Sequence, residues 1–305
     1  MTLEAITIGR EARMMLGSNT YCFGQFQNET TREIVKNPDT ICGDIDPPVN
    51  RVRKGRKIIR GTITMDPTYA QLVALLPWLG VTAVGGGEYN LGAADALMEQ
   101  DCKFDLGGAQ HDWSNCVVLG YAFRGSKGGR PISLQINIEG ENETEGSAFA
   151  NAPLAINKLY AFTDISTRQL DNAGDAGTLT SRPIDRFLIQ VDNRVVSEHN
   201  SSITRTGAKI GDRQAIFACS SPYTTTHKDL YWLYRDSEGS VEAKIKLANT
   251  GGSLEFFMPH TVPITKGPSV IGKADQIRTP ITLEMQRGDN AGTRVSPMTM
   301  TLAAP

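Results

Sequence analysis

Alternation of apolar and polar residues is the feature that most limits how this chain can fold. In the segment 131–138 every second residue is aliphatic and the residues between are polar. The aliphatic residues are Ile132, Leu134, Ile136 and Ile138, and the polar ones are Ser133, Gln135 and Asn137. Successive side chains of a strand point to opposite faces, so one face of this strand packs and the other stays wet. Further strands are predicted at 58–65, 187–191, 214–219, 241–247, 254–258, 280–286 and 297–302. The chain is therefore expected to be mainly β.

Two helices are expected among these strands. The first is predicted near 67–79, with Asp66 as N-cap, Pro67 at the first helical position and an apolar stripe behind them. That stripe consists of Leu72, Leu75, Leu76 and Leu79. The second helix is predicted near 225–235, where Leu230 and Leu233 form the stripe.

The two helices and their flanking strands suggest an internal repeat. A shift of 154 places Tyr69 on Tyr223 and Trp78 on Trp232, and a shift of 149 places 131–135 on 280–284. Chance matches are the alternative, but two nearly equal shifts in the same element order favour a tandem duplication. The prediction is two β-sandwich or β-barrel domains, 1–158 and 159–305, each with one flanking helix. The stretch 29–55 is predicted to be a long loop, and 160–183 a linker or exposed loop.

Composition argues against several classes of protein. The chain carries 31 Lys and Arg against 33 Asp and Glu, which does not fit a generally basic nucleic-acid binder. Its four histidines show no spacing typical of metal ligands, and no phosphate-binding glycine loop is present. Neither a metal nor another cofactor is expected. A β-fold hydrolase stays an alternative, although no acid, base and nucleophile set can be nominated.

The cysteines and the hydropathy of the sequence bear on the cellular location of the chain. The five cysteines include no CxxC pair, which indicates free thiols in a protein made in a reducing cytoplasm. The longest apolar run, 72–81, is shorter than the roughly 20 residues that a membrane-spanning helix needs. No membrane insertion is expected.

Two charge clusters stand out in the sequence. One holds the cations Arg51, Arg53, Lys54, Arg56 and Lys57, with Arg60 close behind. The other holds the alternating carboxylates Glu139, Glu141, Glu143 and Glu145. Solvated edges and contacts with another subunit are open interpretations of both clusters, and direct nucleic-acid binding is a further one for the cations, although no aromatic residues for base stacking lie nearby.

Three segments carry a resemblance to a known family. They are 60–67 (Arg-Gly-Thr-Ile-Thr-Met-Asp-Pro) running into 69–76, the strand 131–138, and the closing stretch 297–302. Together they resemble the tail tube proteins of long-tailed bacteriophages, in a duplicated two-domain form. Family members combine a β-sandwich or barrel with one flanking helix and a long loop that reaches a neighbouring ring.

The resemblance implies a structural virion protein rather than an enzyme. Its chains would polymerise into stacked rings that form the tail tube, the conduit for DNA ejection, with three two-domain chains completing a pseudo-hexameric ring. The implied partners are further copies of the chain, the tape measure, terminator and distal tail proteins, and double-stranded DNA that passes without specific binding. The implied location is the virion tail, after synthesis in the bacterial host cytoplasm. A tail terminator, a baseplate hub or a capsid decoration protein are the alternatives.

The resemblance also suggests roles for particular residues. The polar faces of 131–138 and 280–286 are expected to line an uncharged-to-acidic lumen, because Lys and Arg would bind the phosphates of the cargo. The expected lumen residues are Ser133, Gln135, Asn137, Thr282, Glu284 and Gln286. The two charge clusters are expected to meet between stacked rings, where opposite charges would set the register.

Overall fold

Long antiparallel strands dominate the computed structural model of the chain. The structure describes residues 12–36, 52–92, 97–107, 109–147, 149, 158–172, 181–200, 202–222, 240–264, 278–290 and 293–305. The expected mainly β class is confirmed. No helix among these residues combines the length and the apolar character needed to cross a membrane.

The elements follow the chain in this order. Those before residue 150 are β1 (Arg13–Leu16), β2 (Asn19–Cys22), β3 (Gln25–Asn28), β4 (Thr31–Lys36), β5 (Val52–Met65), α1 (Tyr69–Leu75), β6 (Val81–Gly85), β7 (Glu88–Leu91), β8 (Gln100–Asp105), β9 (Gln110–Ser126), β10 (Ser133–Gly140) and β11 (Asn142–Glu145). Those after it are a 3-10 helix (Phe162–Asp164), β12 (Ile165–Asn172), β13 (Arg186–Asp192), β14 (Val196–Glu198), β15 (Gly207–Lys209), β16 (Gln214–Pro222), β17 (Val241–Asn249), β18 (Gly252–Pro263), β19 (Arg278–Met285), β20 (Gly288–Asn290), β21 (Thr293–Val295) and β22 (Thr299–Ala303).

One continuous antiparallel sheet joins the two halves of the chain. Its strands lie in the order β3–β5–β10–β9–β13–β16–β19–β18. The strand order repeats, because β3–β5–β10–β9 and β13–β16–β19–β18 have the same order along the chain. This repeat is what a duplication predicts, although the division into two domains stays a prediction. The predicted seam near 158 directly follows 150–157, which lie outside the described residues.

The halves also share a hydrophobic core. A second layer formed by β12, β17, β18, β22, β7 and β6 covers the apolar face of the continuous sheet. Phe123 of β9 meets Phe256 of β18 edge to face, with 5.0 Å between the ring centroids. The last strand, β22, pairs with β7 of the first half, so the second layer also contains strands of both halves.

The first helix begins later and ends earlier than predicted. Thr68, not Asp66, is the N-cap, because it forms a capping box with Gln71 in which each backbone N–H is bound by the other residue's side chain. Helix α1 ends at Leu75, and turns carry the chain on to Gly80. Trp78 in these turns is buried and donates from Nε1 to the carbonyl of Cys116 at 3.2 Å. The predicted second helix near 225–235 lies outside the described residues.

Two predicted loops are largely strand. Residues at both ends of the stretch 29–55 form the antiparallel pair β4 and β5, so a two-stranded arm replaces most of the described part of the loop. Part of the predicted linker 160–183 forms β12, which pairs with β17. Both segments are polar because they lie at sheet edges, where one side of the strand remains in solvent.

The junction between the halves makes a direct stability test possible. A Cβ added at Gly120 would lie 2.7 Å from the carbonyl oxygen of Val191, across the β9–β13 pairing. We expect Gly120→Ala to lower the free energy of unfolding by about 1–3 kcal/mol in urea titration, because the junction must move to admit the methyl group. Gly24→Ala is the matched control, since its Cβ would meet its nearest neighbour at an ordinary 3.6 Å. Equal stability of the two variants would contradict this description of the junction.

Candidate functional site

A broad polar face covers the side of the continuous sheet that points away from the hydrophobic core. Residues that are paired across neighbouring strands share a face, so the strand registers define its members. One row across the sheet is Gln25, Thr64, Gln135, Ala122, Gln190, Ile216 and Glu284. The next is Gln27, Thr62, Asn137, Gly120, Asp192 and Gln214. We call this surface the polar face.

Side-chain hydrogen bonds hold parts of the polar face in place. Thr62 Oγ1 donates to Asn137 Oδ1 at 3.1 Å. In the second half, Gln214 Nε2 donates to Glu284 Oε1 at 3.2 Å. Arg194 Nη2 donates to the same glutamine, at Oε1, at 2.9 Å. Amides and hydroxyls therefore bond to one another along a surface that is still open to water.

The structure brings the predicted lumen residues of both halves onto this one face. Ser133, Gln135 and Asn137 project from β10, and Thr282 and Glu284 project from β19 on the same side. Gln286 follows the end of β19 and is exposed. A role in lining a channel stays a prediction for all six.

Several members of the polar face were not singled out in the sequence. Gln25 and Gln27 of β3, Thr62 and Thr64 of β5, and Gln190 of β13 extend the face beyond the two predicted strands. The polar alternation within 60–64 was a usable signal for β5. The four-residue strand β3 is too short for its own pattern to identify it.

The polar face carries more positive charge than expected. Arg124 of β9 lies opposite Ser133, and Arg186 of β13 lies opposite Ser126, so both arginines point to this side. Asp192 and Glu284 occupy the rows further along the strands. Two arginines therefore lie at one end of the face that was expected to form an uncharged-to-acidic lumen, and the lumen itself stays a prediction.

The two charge clusters meet within the chain. Arg60 Nη2 lies 2.8 Å from Glu139 Oε2, and Lys57 Nζ lies 3.7 Å from Glu143 Oε2. Strand β10 pairs with β5, and β11 continues beyond it, which brings carboxylates and cations side by side. These contacts need no neighbouring ring, so a role of the four residues in stacking stays a prediction.

Glu139 does not share an exposed side with the other three carboxylates. It is 2 % exposed, and it binds Arg60 and the hydroxyl of Ser197. A register shift after Asn137 and a bend at Glu141 interrupt the alternation that placed all four on one side. Glu143 is partly buried and accepts from Trp113 Nε1 at 3.1 Å, with His111 Nδ1 at the same distance.

The structure describes the side chains of only some of the remaining members of the two charge clusters. Glu141, which accepts from the side-chain amide of Asn115, is half-buried. Glu145 and Arg56 are exposed. Arg51 lies outside the described residues, as do the side chains of Arg53 and Lys54.

Neither a grouping of metal ligands nor a known relative directs the functional assignment. Among the described residues, no three His, Cys, Asp or Glu side chains are grouped so that they could hold a metal ion. No protein-family model matches the chain, and no curated protein matches it. The function is therefore inferred from the polar face and the sheet that carries it.

The buried Glu139 contact leads to a stability prediction. Glu139→Ala removes the partner of Arg60 and of Ser197, and we expect the free energy of unfolding to fall by about 1–3 kcal/mol, moderated by the exposure of Arg60. Glu145→Ala, an exposed change in the same segment, is the control and should alter stability by no more than about 0.5 kcal/mol. Urea titrations of both variants provide the measurement. A neutral Glu139→Ala would mean that this carboxylate is available for other partners.

Proposed function

We propose that the chain is a structural tube subunit of a bacteriophage tail, which polymerises into stacked rings around a DNA channel. The observation that supports this most strongly is the continuous sheet with one packed face, one polar face and, at each end, a strand segment that has no further partner among the described residues. Among the described strands β3 pairs with β5 alone. At the other end Val262 and Ile264 are 43 % and 50 % exposed, just beyond the last pairing of β18 with β17.

The junction inside the chain is a template for the junction between chains. In the order of the sheet, β9 is the last strand of the first repeat and β13 is the first strand of the second. These two strands pair over seven residues. By the repeated order, β18 corresponds to β9, and β3 corresponds to β13. Pairing of β18 with β3 of the next chain would therefore continue the same sheet, as a head-to-tail contact that closes into a ring.

Strand spacing favours a ring of three chains. Each chain contributes eight strands to the sheet. At about 4.8 Å between strands, three chains give a closed wall about 115 Å around and about 37 Å across the backbone. Two chains would leave a bore of about 24 Å before side chains are counted, which is too narrow for a duplex. For strands parallel to the channel axis, the three-chain ring expected from the duplication is thus also the smallest one that fits DNA.

The polar face suits the inner wall of such a tube. Most of this face consists of uncharged serine, threonine, asparagine and glutamine side chains. Over this area there is no array of cations to bind the phosphates, so the DNA is free to move along it. The apolar face is already covered by the second layer, which would form the outer wall. Tape measure, terminator and distal tail proteins remain the proposed partners, and the virion tail the proposed location.

Disulfide trapping tests the ring directly. In a Cys22→Ser and Cys42→Ser background, one cysteine at Gln25 or Gln27 is combined with one at Val262 or Ile264. These positions lie at opposite ends of the sheet of one chain, so a bond between them forms between chains. We expect at least one of the four combinations to give covalent dimers and trimers on oxidation, with a ladder that ends at three chains.

Two controls make the trapping decisive. Ala122→Cys with Gln190→Cys spans the equivalent junction inside the chain and should give an intramolecular disulfide without a ladder. The remaining thiols, Cys102, Cys116 and Cys219, are buried, and burial raises the pKa of Cys219 to about 12, which keeps it unreactive. A ladder from none of the four combinations, with the internal control oxidised, would contradict the ring. Rings that do not stack would favour a tail terminator.

Stacking of rings yields a separate prediction. If the arm formed by β4 and β5 reaches the next ring, Arg53→Glu, Lys54→Glu and Arg56→Glu together should leave rings intact and shorten the tubes seen by electron microscopy. The parent tubes should also shorten when salt reduces the Debye length to a few Å. Tubes of parental length at low and high salt would show that these cations are only a solvated edge.

A further inference from the structure

An open groove of about 860 Å³ lies at one end of the polar face. It spans the ends of β9, β10, β13, β16 and β19 together with the turn between β9 and β10. Its polar lining includes Arg124, Arg130, Arg186, Ser126, Ser133 and Thr282. Residues of both repeats therefore contribute to it, and it straddles the β9–β13 junction.

The three arginines of the groove have no carboxylate partner among the described residues. Other cations of the sheet are paired, as Lys127 near the groove is with Asp185 at 2.9 Å and Arg60 at the opposite end is with Glu139 at 2.8 Å. All three arginine side chains are exposed. Three arginines without a carboxylate partner among the described residues thus line one concave site.

One carboxylate also lines the groove. Asp66 contributes to its wall, and burial raises the pKa of this side chain above its usual value. A single carboxylate does not offset three guanidinium groups, so the groove remains positive. A positive concavity on an otherwise nearly neutral face attracts anions.

The chemistry of the groove fits phosphate groups. Guanidinium groups bind phosphate oxygens through two parallel N–H donors, and the hydroxyls of Ser126 and Ser133 are additional donors. Arg124 lies opposite Leu188, two residues from Arg186, so the two arginine positions are diagonal neighbours about 7–8 Å apart. This separation lets the two arginines contact neighbouring phosphates on one DNA strand.

The groove lacks what base recognition needs. The aromatic ring in its lining, that of Phe187, is only 3 % exposed and offers no stacking platform. Contacts would therefore be with the backbone and independent of base sequence.

We propose that this groove binds the phosphate backbone of double-stranded DNA. The proposal rests on the assignment of the polar face to a DNA channel and deepens it. One band of each ring would hold the duplex weakly, and the rest of the wall would let it pass. Since the groove is complete within one chain, its binding can be measured without assembly into tubes.

The test uses the unassembled chain and a fluorescently labelled 20-base-pair duplex. Binding is followed by anisotropy between 50 and 200 mM salt, for the parent and for Arg124→Gln, Arg130→Gln and Arg186→Gln combined. Three phosphate contacts give a slope of log K against log salt of about −2.7, which means roughly 40-fold weaker binding across this range. We expect the triple variant to lose most of that slope and to bind at least about tenfold more weakly at 50 mM salt.

A matched control separates the groove from general charge. Arg32→Gln, Arg56→Gln and Lys158→Gln combined remove the same charge from exposed positions outside the groove and should leave the slope nearly unchanged. Equal losses in the two triple variants, or no loss in either, would overturn the proposal. A 20-residue polyglutamate serves as a competing anion. If it binds the parent as tightly as the duplex does, and the groove variant no longer binds it, the site would belong to an acidic protein and the proposal would also be overturned.

The outcome is independent of the ring test. Disulfide ladders together with arginine-independent DNA binding would refute the groove and leave the proposed tube subunit standing. Groove-dependent binding without any ladder would refute the ring and leave a DNA-binding site.

Discussion

The pairing of β9 with β13 is the interaction on which the rest of this structure depends. In the order of the sheet, seven residue pairs join β9, the last of the four strands β3–β5–β10–β9, to β13, the first of the four strands β13–β16–β19–β18. Only glycine at position 120 allows the two backbones to approach as closely as they do. Because of this junction the two repeats form one sheet with one core and one polar face, and the lumen candidates of both halves lie on the same side.

The charged residues around this sheet serve two different purposes. Arg60 and Lys57 are held by carboxylates of β10 and β11, so part of the charge that looked available for assembly stabilises the subunit instead. The arginines at the far end of the polar face are unpaired among the described residues and remain open to an outside anion. Position on the sheet, rather than charge in the sequence, distinguishes the two groups.

Much of the sheet could be predicted from sequence because its signal is local. The alternation in 131–138 gives both the buried face of β10 and its polar face, and the repeat offsets anticipate the repeated strand order. Contacts between distant segments leave no such signal. Thr299 of β22 binds Asn90 of β7 across 209 residues, and Glu139 is buried because Arg60 and Ser197 come from other strands. The predicted start of helix α1 is too early, because the capping box of Thr68 and Gln71, and not the side chain of Asp66, caps the helix.

The central claim is that the polar face is the inner wall of a ring closed from strand edge to strand edge. A cryo-electron microscopy reconstruction of the purified full-length protein tests it most directly. We expect three chains per ring, an unbroken sheet around the channel, and Gln135, Asn137 and Thr282 facing the bore. A particle that remains a monomer at all concentrations, or a tube whose bore is lined by the layer containing β12 and β17, would contradict the claim.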